Sequence, residues 1–467
     1  KKPNRLKSKC EQRSELEFVY LKRHATPELA GEVMKLGTNG VFRQREYKRY
    51  YPMGEVMAHL IGFTNVDDRG QEGLELAYDR HLRGTPGAKR VIKDRLGRIV
   101  EDVESIRVPR PGQDITLSID RRIQYLAYRE LKAAVQSNKA RTGSLVMLDV
   151  KTGEVVAMVN QPAHNPNSRD GMRPSHMRNR AMTDVFEPGS TVKPFTVAAA
   201  LESGRYRTST PIDTSPGWHR VSGKTIRDFR NLGRIDVAKV LQKSSNVGAS
   251  KIALSLPAER LWSVLTRVGF GAQVNVGFPG ESAGSLAHYS TWRPIEQATL
   301  SYGYGLSTTA LQLAHAYAVI AGGGRQRPVS LLKVSEVPRS EQVIPRHIAR
   351  DLRTVLEEVV GPEGTAPGAR VPGYRVAGKT GTAHKLENGA YSEDQYVALF
   401  VGMAPLSDPR LVCVVVIDDP RGEKYYGGQV AGPVFARVMS GALRLLDIPP
   451  DDLDALQTHV ASSGVER

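Results

Sequence analysis

The stretch that decides the fold is Leu411-Val412-Cys413-Val414-Val415-Val416-Ile417. A short apolar run that is rich in β-branched residues is typical of a strand buried on both faces. Two further strands are predicted before it, at residues 376–382 and 396–403, and a helical pattern follows at residues 429–446. We therefore predict three consecutive strands of one sheet, followed by a closing helix.

Two further apolar strands are predicted upstream, at residues 143–149 and 154–159. The long stretch between these strands and the last three is rich in helical patterns, for example at residues 259–268 and 309–320. Two strands, a helical insertion, three strands and a last helix together predict an α+β domain over residues 141–450.

The rest of the chain has a different character. Residues 1–140 are polar and contain short predicted elements, namely a helix at 11–23, a hairpin at 91–100 and a strand at 114–120. We predict that they form a separate N-terminal domain. Residues 451–467 are polar and acidic, which predicts a flexible C-terminal tail.

The composition excludes some partners. The chain has 467 residues and a formal net charge of +16, which indicates either attraction to an anionic surface or a dispersed basic surface. No basic run alternates with aromatic residues, so we expect no nucleic-acid partner. No stretch reaches about 18 apolar residues, the length of a membrane span. The chain starts with Lys1, so we expect a fragment, and its two cysteines, Cys10 and Cys413, leave the disulfide state open.

Three short motifs occur in one order along the chain. They are Ser190-Thr191-Val192-Lys193, Ser244-Ser245-Asn246 and Lys379-Thr380-Gly381. Ser190 follows a Pro-Gly turn at a predicted helix start, where backbone N–H groups are free. Lys193 is one helical turn further on and reaches the same face. It can act as a base for the Ser190 hydroxyl if burial and a second cation lower its pKa.

The other two motifs supply the remaining groups for acyl transfer through a serine ester. The Ser244 hydroxyl can pass a proton to a leaving amine, and the Asn246 carboxamide can hold a substrate amide. Lys379 and Thr380 can hold a carboxylate, and Gly381 lets a ligand backbone approach the strand closely.

Two of the patterns occur a second time. Ser330-Leu331-Leu332-Lys333 repeats the first motif within a strand-like apolar run, and Lys151-Thr152-Gly153 repeats the third in a predicted turn. Each motif alone is weak evidence, because a serine or a glycine at such positions more often caps or turns the backbone. The order of the three motifs excludes the second copies.

The ordered triple resembles the penicillin-binding protein and serine β-lactamase superfamily. More narrowly, the chain resembles class B penicillin-binding proteins of the septal, cell-division transpeptidase type, often called penicillin-binding protein 3. Further blocks that carry this resemblance are Arg49-Tyr50-Tyr51-Pro52, Gly70-Gln71-Glu72-Gly73-Leu74-Glu75, Phe186-Glu187-Pro188-Gly189-Ser190, Tyr302-Gly303-Tyr304-Gly305 and Tyr425-Tyr426-Gly427-Gly428.

The resemblance implies a fold and a cellular setting. The transpeptidase domain would be a five-stranded antiparallel sheet with helices on both sides, and residues 1–140 an elongated, dimerisation-like, non-catalytic pedestal. The partners would be peptidoglycan stem peptides, β-lactams and divisome membrane proteins that include a glycosyltransferase. An N-terminal helix absent from this chain would anchor the protein in the inner membrane, with the catalytic domain in the periplasm. No metal or organic cofactor is implied.

The resemblance also implies residue roles in septal peptidoglycan cross-linking through a Ser190 acyl-enzyme that β-lactams block. The catalytic residues would be Ser190, Lys193, Ser244, Asn246 and Lys379. The substrate-binding residues would be Thr380, Gly381, Thr382, His384, Tyr425 and Tyr426. The backbone N–H groups of Ser190 and Thr382 would form the oxyanion hole.

Other functions remain open from sequence alone. A D,D-carboxypeptidase differs only in the acceptor, which is water. A serine β-lactamase needs a second base, often in an E-x-x-L-N loop, and none occurs between Asn246 and Lys379. A non-catalytic, β-lactam-binding divisome scaffold is the third alternative. The acceptor amine, the activating partners, the oligomeric state and the distinction between a housekeeping enzyme and a condition-specific paralogue are left undetermined.

His384 is a departure from the expected pattern, because close relatives would carry a permanent cation there. Histidine loses its charge in the physiological pH range. We hypothesise that β-lactam acylation rises at mildly acidic pH, although a solvated histidine at the rim of the site is an alternative.

Overall fold

The computed structural model describes residues 7–8, 11–12, 15–16, 18–95, 99–168, 171, 173–387 and 390–453. The chain divides into two compact units, one of residues 1–52 with 61–113 and the other of residues 53–60 with 114–467. Cys10 and most of the predicted tail at 451–467 lie outside the described residues. Cys413 is a free, buried cysteine.

The helices are numbered in chain order. They are α1 (Pro27–Lys35), α2 (Ala58–Ile61), α3 (Gly73–Ala77), α4 (Asp79–Arg83), α5 (Arg121–Ser137), α6 (Pro174–Met177), α7 (Arg180–Thr183), α8 (Lys193–Glu202), α9 (Val237–Gln242), α10 (Asn246–Leu254), α11 (Ala258–Arg267), α12 (Pro294–Leu300), α13 (Ala310–Ala321), α14 (Arg346–Val360), α15 (Gly427–Val430) and α16 (Gly432–Leu445). None of these described helices is both long enough and apolar enough to span a membrane.

The strands are β1 (Ala88–Lys93), β2 (Ile99–Arg107), β3 (Thr142–Asp149), β4 (Val155–Gln161), β5 (Pro211–Asp213), β6 (Trp218–Val221), β7 (Lys224–Arg227), β8 (Arg234–Asp236), β9 (Arg325–Gln326), β10 (Glu341–Gln342), β11 (Ala377–Glu387), β12 (Ala390–Ala404) and β13 (Leu411–Asp418). In the first unit, β1 and β2 pair in the antiparallel direction predicted for residues 91–100, and the predicted turn at Gly97 lies outside the described residues.

The predicted helix at 11–23 is wrong for its described residues 18–23, which are irregular. Phe18 is 63% exposed and Leu16 is 57% exposed, so no apolar face is buried there. A short helix without such a face has little to stabilise it. Arg23 instead donates a hydrogen bond of 2.9 Å to Asp67, far along the chain.

The predicted strand at 114–120 is also wrong, because this segment of the second unit forms only one isolated bridge, between Leu117 and Leu332. Ser118 N donates to Leu331 O at 2.9 Å, but the pairing ends there because Asp120 turns the chain into α5. Its side chain accepts from Arg122 N at 2.8 Å and so caps the helix.

The sheet of the second unit confirms the predicted fold class. Five strands run antiparallel in the order β11-β12-β13-β3-β4. The apolar run of β13 lies in the middle, paired with β12 on one side and β3 on the other. Strand β11, which carries the third motif, is therefore at an edge of the sheet, with β12 as its only strand neighbour among the described residues.

Both faces of this sheet are covered by helices. Leu145 and Cys413 pack in one buried cluster with Phe435 of α16. Val146 and Val414 point to the opposite face, because side chains alternate along a strand, and they are also fully buried. Helix α13 packs against β3 and β13. Burial on both faces explains why these strands are continuously apolar rather than alternating.

Candidate active site

Ser190 lies in a single turn of 3-10 helix, Gly189–Val192, which leads directly into α8. The turn is packed tightly against the Tyr302–Gly305 block, because a Cβ atom on Gly303 would lie 2.0 Å from Gly189 O. The buried Tyr317 hydroxyl donates to Thr191 O at 2.7 Å. These two contacts hold the turn in place, and the first of them explains why residue 303 is a glycine.

The side chain of Lys193 is fully buried and points at the second motif as well as at Ser190. Its Nζ atom lies 2.8 Å from Ser190 Oγ, 2.5 Å from Ser244 O, 3.1 Å from Ser244 Oγ and 2.7 Å from Asn246 Oδ1. Burial, followed by the charge of Lys379, lowers the pKa of Lys193 well below its ordinary value. The amine can therefore be neutral and accept the Ser190 proton.

Lys379 on β11 is the second buried lysine of the site. Its Nζ atom is 2.9 Å from Ser244 Oγ, so that this hydroxyl lies between the two lysines. Burial lowers the pKa of Lys379 to about 7. A hydroxyl in contact with both amines can relay a proton between Lys193 and a leaving group.

The second motif is a strained turn between α9 and α10. Ser244 has φ +60°, a left-handed conformation that non-glycine residues rarely adopt. Ser245 caps α10 by accepting from Gly248 N at 2.8 Å. The carboxylate of Asp228 accepts from Ser245 Oγ at 2.5 Å and from Asn246 N at 2.6 Å.

Sequence analysis missed Asp228. It precedes the motif by 16 residues and belongs to none of the three patterns. Only its contacts with the turn distinguish it from the other acidic residues of the chain.

The edge strand β11 lies directly against the Ser190 turn. A Cβ atom built on Gly189 would be 3.4 Å from Ala383 Cβ and 3.8 Å from Thr382 O. On the other side, Gly427 N donates to Thr382 Oγ1 at 3.0 Å. A Cβ atom on Gly427 would lie 2.4 Å from Gly381 O. The Tyr425–Gly428 block can therefore pack against β11 only because residue 427 has no side chain.

The predicted site residues His384, Tyr425 and Tyr426 lie together in one aromatic group. His384 lies next to Tyr396 with ring centroids 4.8 Å apart, and Tyr396 stacks on Tyr425 at 4.5 Å. Tyr425 and Tyr426 are neighbours, with their hydroxyls 3.1 Å apart. The structure thus joins His384 to the two tyrosines through Tyr396, which sequence analysis missed. Thr380 Oγ1 lies 2.9 Å from Thr365 Oγ1 at the other end of the motif.

Comparison with known families identifies the domains. Residues 143–440 match the penicillin binding protein transpeptidase domain, and residues 1–117 match the penicillin-binding protein dimerisation domain. The chain belongs to the penicillin-binding protein transpeptidase family. Within the described ranges, no group of three or more histidine, cysteine, aspartate or glutamate side chains is arranged to hold a metal ion.

Individual relatives sharpen this assignment. The chain is 47% identical to the peptidoglycan D,D-transpeptidase FtsI of Escherichia coli K12, over 93% of this chain and 74% of that protein. It is 43% identical to the probable peptidoglycan D,D-transpeptidase PenA of Neisseria meningitidis serogroup A, over 95% of this chain and 76% of that protein. These relatives confirm the predicted resemblance to class B, penicillin-binding protein 3 type transpeptidases.

Solved structures agree with the fold. The apo transpeptidase domain of Burkholderia pseudomallei penicillin-binding protein 3 superimposes with a TM-score of 0.67 at 46% identity. The match covers 73% of this chain and 99% of that domain. The predicted α+β architecture is thereby confirmed by comparison as well as by the sheet described above.

Proposed function

We propose that this penicillin-binding protein is a peptidoglycan D,D-transpeptidase that cross-links stem peptides through a Ser190 acyl-enzyme during septal wall synthesis. One observation carries the mechanism: the fully buried Nζ atom of Lys193 lies 2.8 Å from Ser190 Oγ. Lys193 forms no ion pair with a carboxylate among the described residues. Such an amine is available as a base next to its nucleophile.

The acylation step follows from these contacts. Lys193 takes the hydroxyl proton while Ser190 Oγ attacks the carbonyl carbon of the D-Ala-D-Ala peptide bond. The carbonyl oxygen becomes negative and accepts hydrogen bonds from the backbone N–H groups of Ser190 and Thr382. Each such donor contributes about 3 kcal/mol to the transition state.

Departure of D-alanine needs a proton on its nitrogen, and Ser244 is the group that delivers it. Its hydroxyl contacts both lysines, so Lys193 can return the proton through it as the C–N bond breaks. The acyl carbon is then bound to Ser190 Oγ as an ester. An amine of a second stem peptide attacks this ester and gives a proton to Lys193. Lys193 passes that proton to Ser190 Oγ as the ester C–O bond breaks, so that a new peptide bond forms and the Ser190 hydroxyl is regenerated.

Binding of the donor is assigned to the β11 side of the site. Lys379, Thr380 and Thr382 hold the terminal carboxylate, and Asn246 holds the donor amide. Gly381 lets the donor backbone approach the edge strand. His384, Tyr425 and Tyr426 contact the part of the donor that extends away from the carboxylate.

A labelling experiment tests this function. A β-lactam mimics the donor and acylates Ser190 without a leaving amine, so a fluorescent penicillin should label the protein and stay bound for hours. A stem pentapeptide with an amine acceptor should give a cross-linked product. Rapid loss of the label would favour a β-lactamase, hydrolysis without a cross-link a carboxypeptidase, and absence of the label on Ser190 a non-catalytic scaffold.

We further propose that the N-terminal domain, predicted from the sequence at residues 1–140, is a non-catalytic pedestal for divisome membrane proteins, among them a glycosyltransferase. The first compact unit, residues 1–52 with 61–113, makes up most of this predicted domain. The dimerisation-domain match supports this assignment. We also propose inner-membrane anchoring with a periplasmic catalytic domain. Depletion of the natural protein in its host should produce filaments, because septal synthesis fails while elongation continues; round cells would contradict a septal role.

A further inference from the structure

Asp228 follows strand β7 and reaches the second motif from outside it. Its carboxylate accepts three hydrogen bonds, from Ser245 Oγ at 2.5 Å, from Asn246 N at 2.6 Å and from Val247 N at 3.0 Å. Two of these donors are backbone N–H groups in the first turn of α10, which have no partner within the helix. One carboxylate thus binds three consecutive residues immediately after Ser244.

The turn needs such support because it is strained. Ser244 has φ +60°, and a non-glycine residue in this region costs on the order of 1–3 kcal/mol and persists only where its surroundings hold it. In this conformation Ser244 presents both its carbonyl oxygen and its hydroxyl to Lys193 Nζ, at 2.5 and 3.1 Å. Asn246 Oδ1 reaches the same amine at 2.7 Å.

The charge of Asp228 also acts on Lys193. Burial and the positive charge of Lys379 lower the pKa of Lys193, whereas the negative charge of Asp228 raises it. A base whose pKa is too far below the working pH is a weak proton acceptor. The charge of Asp228 therefore keeps the pKa of Lys193 higher than burial and the charge of Lys379 alone would make it.

One more titratable group is affected by the same carboxylate. The charge of Asp228 raises the pKa of His219 on β6, while burial and then Lys251 lower it. The His219 ring lies 2.7 Å from Ser250 Oγ of α10. Any pH experiment on Asp228 must therefore separate Lys193 from His219.

We propose that Asp228 is a positioning residue for acylation: its carboxylate holds the Ser244–Asn246 turn against Lys193, and its negative charge acts on that lysine. The inference rests on the proposed function, since it assigns Asp228 a role in the same reaction. It differs from a simple helix cap, because a cap stabilises α10 without changing how the reaction depends on pH.

Two substitutions separate the charge from the geometry. Asp228→Asn keeps the shape and an oxygen acceptor for the two backbone N–H groups but removes the charge. Asp228→Ala removes both. The second-order rate constant for acylation by penicillin is measured from about pH 5 to about pH 10, because its acid limb reports the essential base of the free enzyme.

For Asp228→Asn we expect the acid limb to move to lower pH, because loss of the negative charge lowers the pKa of Lys193. We expect the plateau to fall at the same time. For Asp228→Ala we expect the plateau to fall about 10²-fold, the effect of a small displacement of catalytic groups.

Two controls complete the experiment. Asp236 caps α9 by accepting from Lys239 N at 2.8 Å. Asp236→Asn therefore makes the same chemical change at a helix cap that has no hydrogen bond to Lys193 or Lys379 in the described part of the chain. Its pH profile should match that of the parent. The shift caused by Asp228→Asn should persist in a His219→Gln background, which removes the second titratable group.

The outcomes are distinct. If the parent protein is not labelled on Ser190, the proposed function fails. If the parent is labelled but Asp228→Asn leaves the acid limb unmoved, or moves it only when His219 is present, the inference about Asp228 is wrong. A folded Asp228→Ala variant with the parent's plateau, with folding checked by thermal unfolding, would also overturn it.

Discussion

The two copies of the serine-lysine motif differ in their surroundings rather than in their letters. Lys193 is fully buried, and its Nζ atom is 2.8 Å from Ser190 Oγ. In the second copy, which begins at Ser330, the Lys333 side chain is 60% exposed and its Nζ atom pairs with Glu154 at 3.1 Å. Burial away from a carboxylate favours a neutral amine, whereas water and an ion pair favour the cation. Only the first lysine is placed to act as a base.

The two lysine-threonine-glycine copies show the same contrast. Lys379 is fully buried on an edge strand beside Ser244, and burial lowers its pKa to about 7. Lys151 lies in the turn between β3 and β4, is 49% exposed and pairs with Asp408 at 2.6 Å. A lysine in a turn is solvated and does not face a substrate groove. The difference between copies of a motif is therefore set by residues outside the motif.

The largest difference is expected between substitutions of Ser190 and Ser330, the serines of the two serine-lysine motifs. Ser190→Ala should abolish covalent labelling by fluorescent penicillin, because no nucleophile remains next to Lys193. Ser330→Ala should be labelled to the same extent as the parent. Gel fluorescence after saturation measures both, and label retained on Ser190→Ala would show that another residue is the nucleophile.

The next largest difference is expected between substitutions of Lys193 and Lys333, the lysines of the two serine-lysine motifs. Lys193→Met should lower the acylation rate constant by about 10²–10⁴-fold, the usual contribution of a positioned base. Lys333→Met removes an exposed cation far from the reaction and should leave the rate unchanged. Stopped-flow acylation kinetics test the pair. Equal losses in the two variants would contradict the contrast between a buried base and an exposed ion pair.

The charge of Lys379 should make the non-covalent binding of penicillin, before acylation, depend on pH. Because its pKa is about 7, this lysine is charged below that pH and neutral above it, so affinity for a carboxylate ligand should fall as the pH rises through 7. Titration of the Ser190→Ala variant with penicillin from about pH 6 to about pH 9 should show a loss of roughly tenfold. Adding Lys379→Gln should flatten the profile, and adding Lys151→Gln should not.

The smallest expected effect is at His384, five residues after Lys379 on the same strand. Its Nδ1 atom lies 2.8 Å from Ser392 O. In addition to the acid limb set by Lys193, which the parent and the histidine variants share, we expect acylation to gain a few-fold as the pH falls from about 8 to about 5, the range where histidine titrates. His384→Arg should remove this dependence, whereas His347→Arg, at an exposed position, should retain it. Matching profiles for the parent and His384→Arg would contradict the hypothesis.

Most strands of the sheet could be predicted because β13 and the central parts of β3, β4 and β12 are apolar runs. The run at 411–417 needs no partner to be recognised, since seven apolar residues in succession must be buried. The segments at 11–23 and 114–120 were predicted from weaker local patterns. Long-range contacts decide both: Arg23 pairs with Asp67, and Leu117 bridges to Leu332.

The candidate site could be predicted as far as it consists of motifs. The spacing of Ser190 and Lys193 is local, so it follows from helix geometry. Asp228 and Tyr396 act through contacts with residues that are distant in sequence, and nothing in their own neighbourhoods distinguishes them. The pKa of Lys193 is likewise unreadable from its neighbours along the chain, because it depends on burial and on Lys379.

The sequence by itself determined the α+β class, the family and the three motifs, because apolar runs and motif order are properties of the chain. The tertiary structure alone decided which copies of the motifs are buried together, and it placed Ser244 Oγ between the amines of Lys193 and Lys379 at 3.1 and 2.9 Å. The physical reason is that the proton affinity of a lysine depends on the water and charges around it. Folding sets those surroundings by bringing distant segments together.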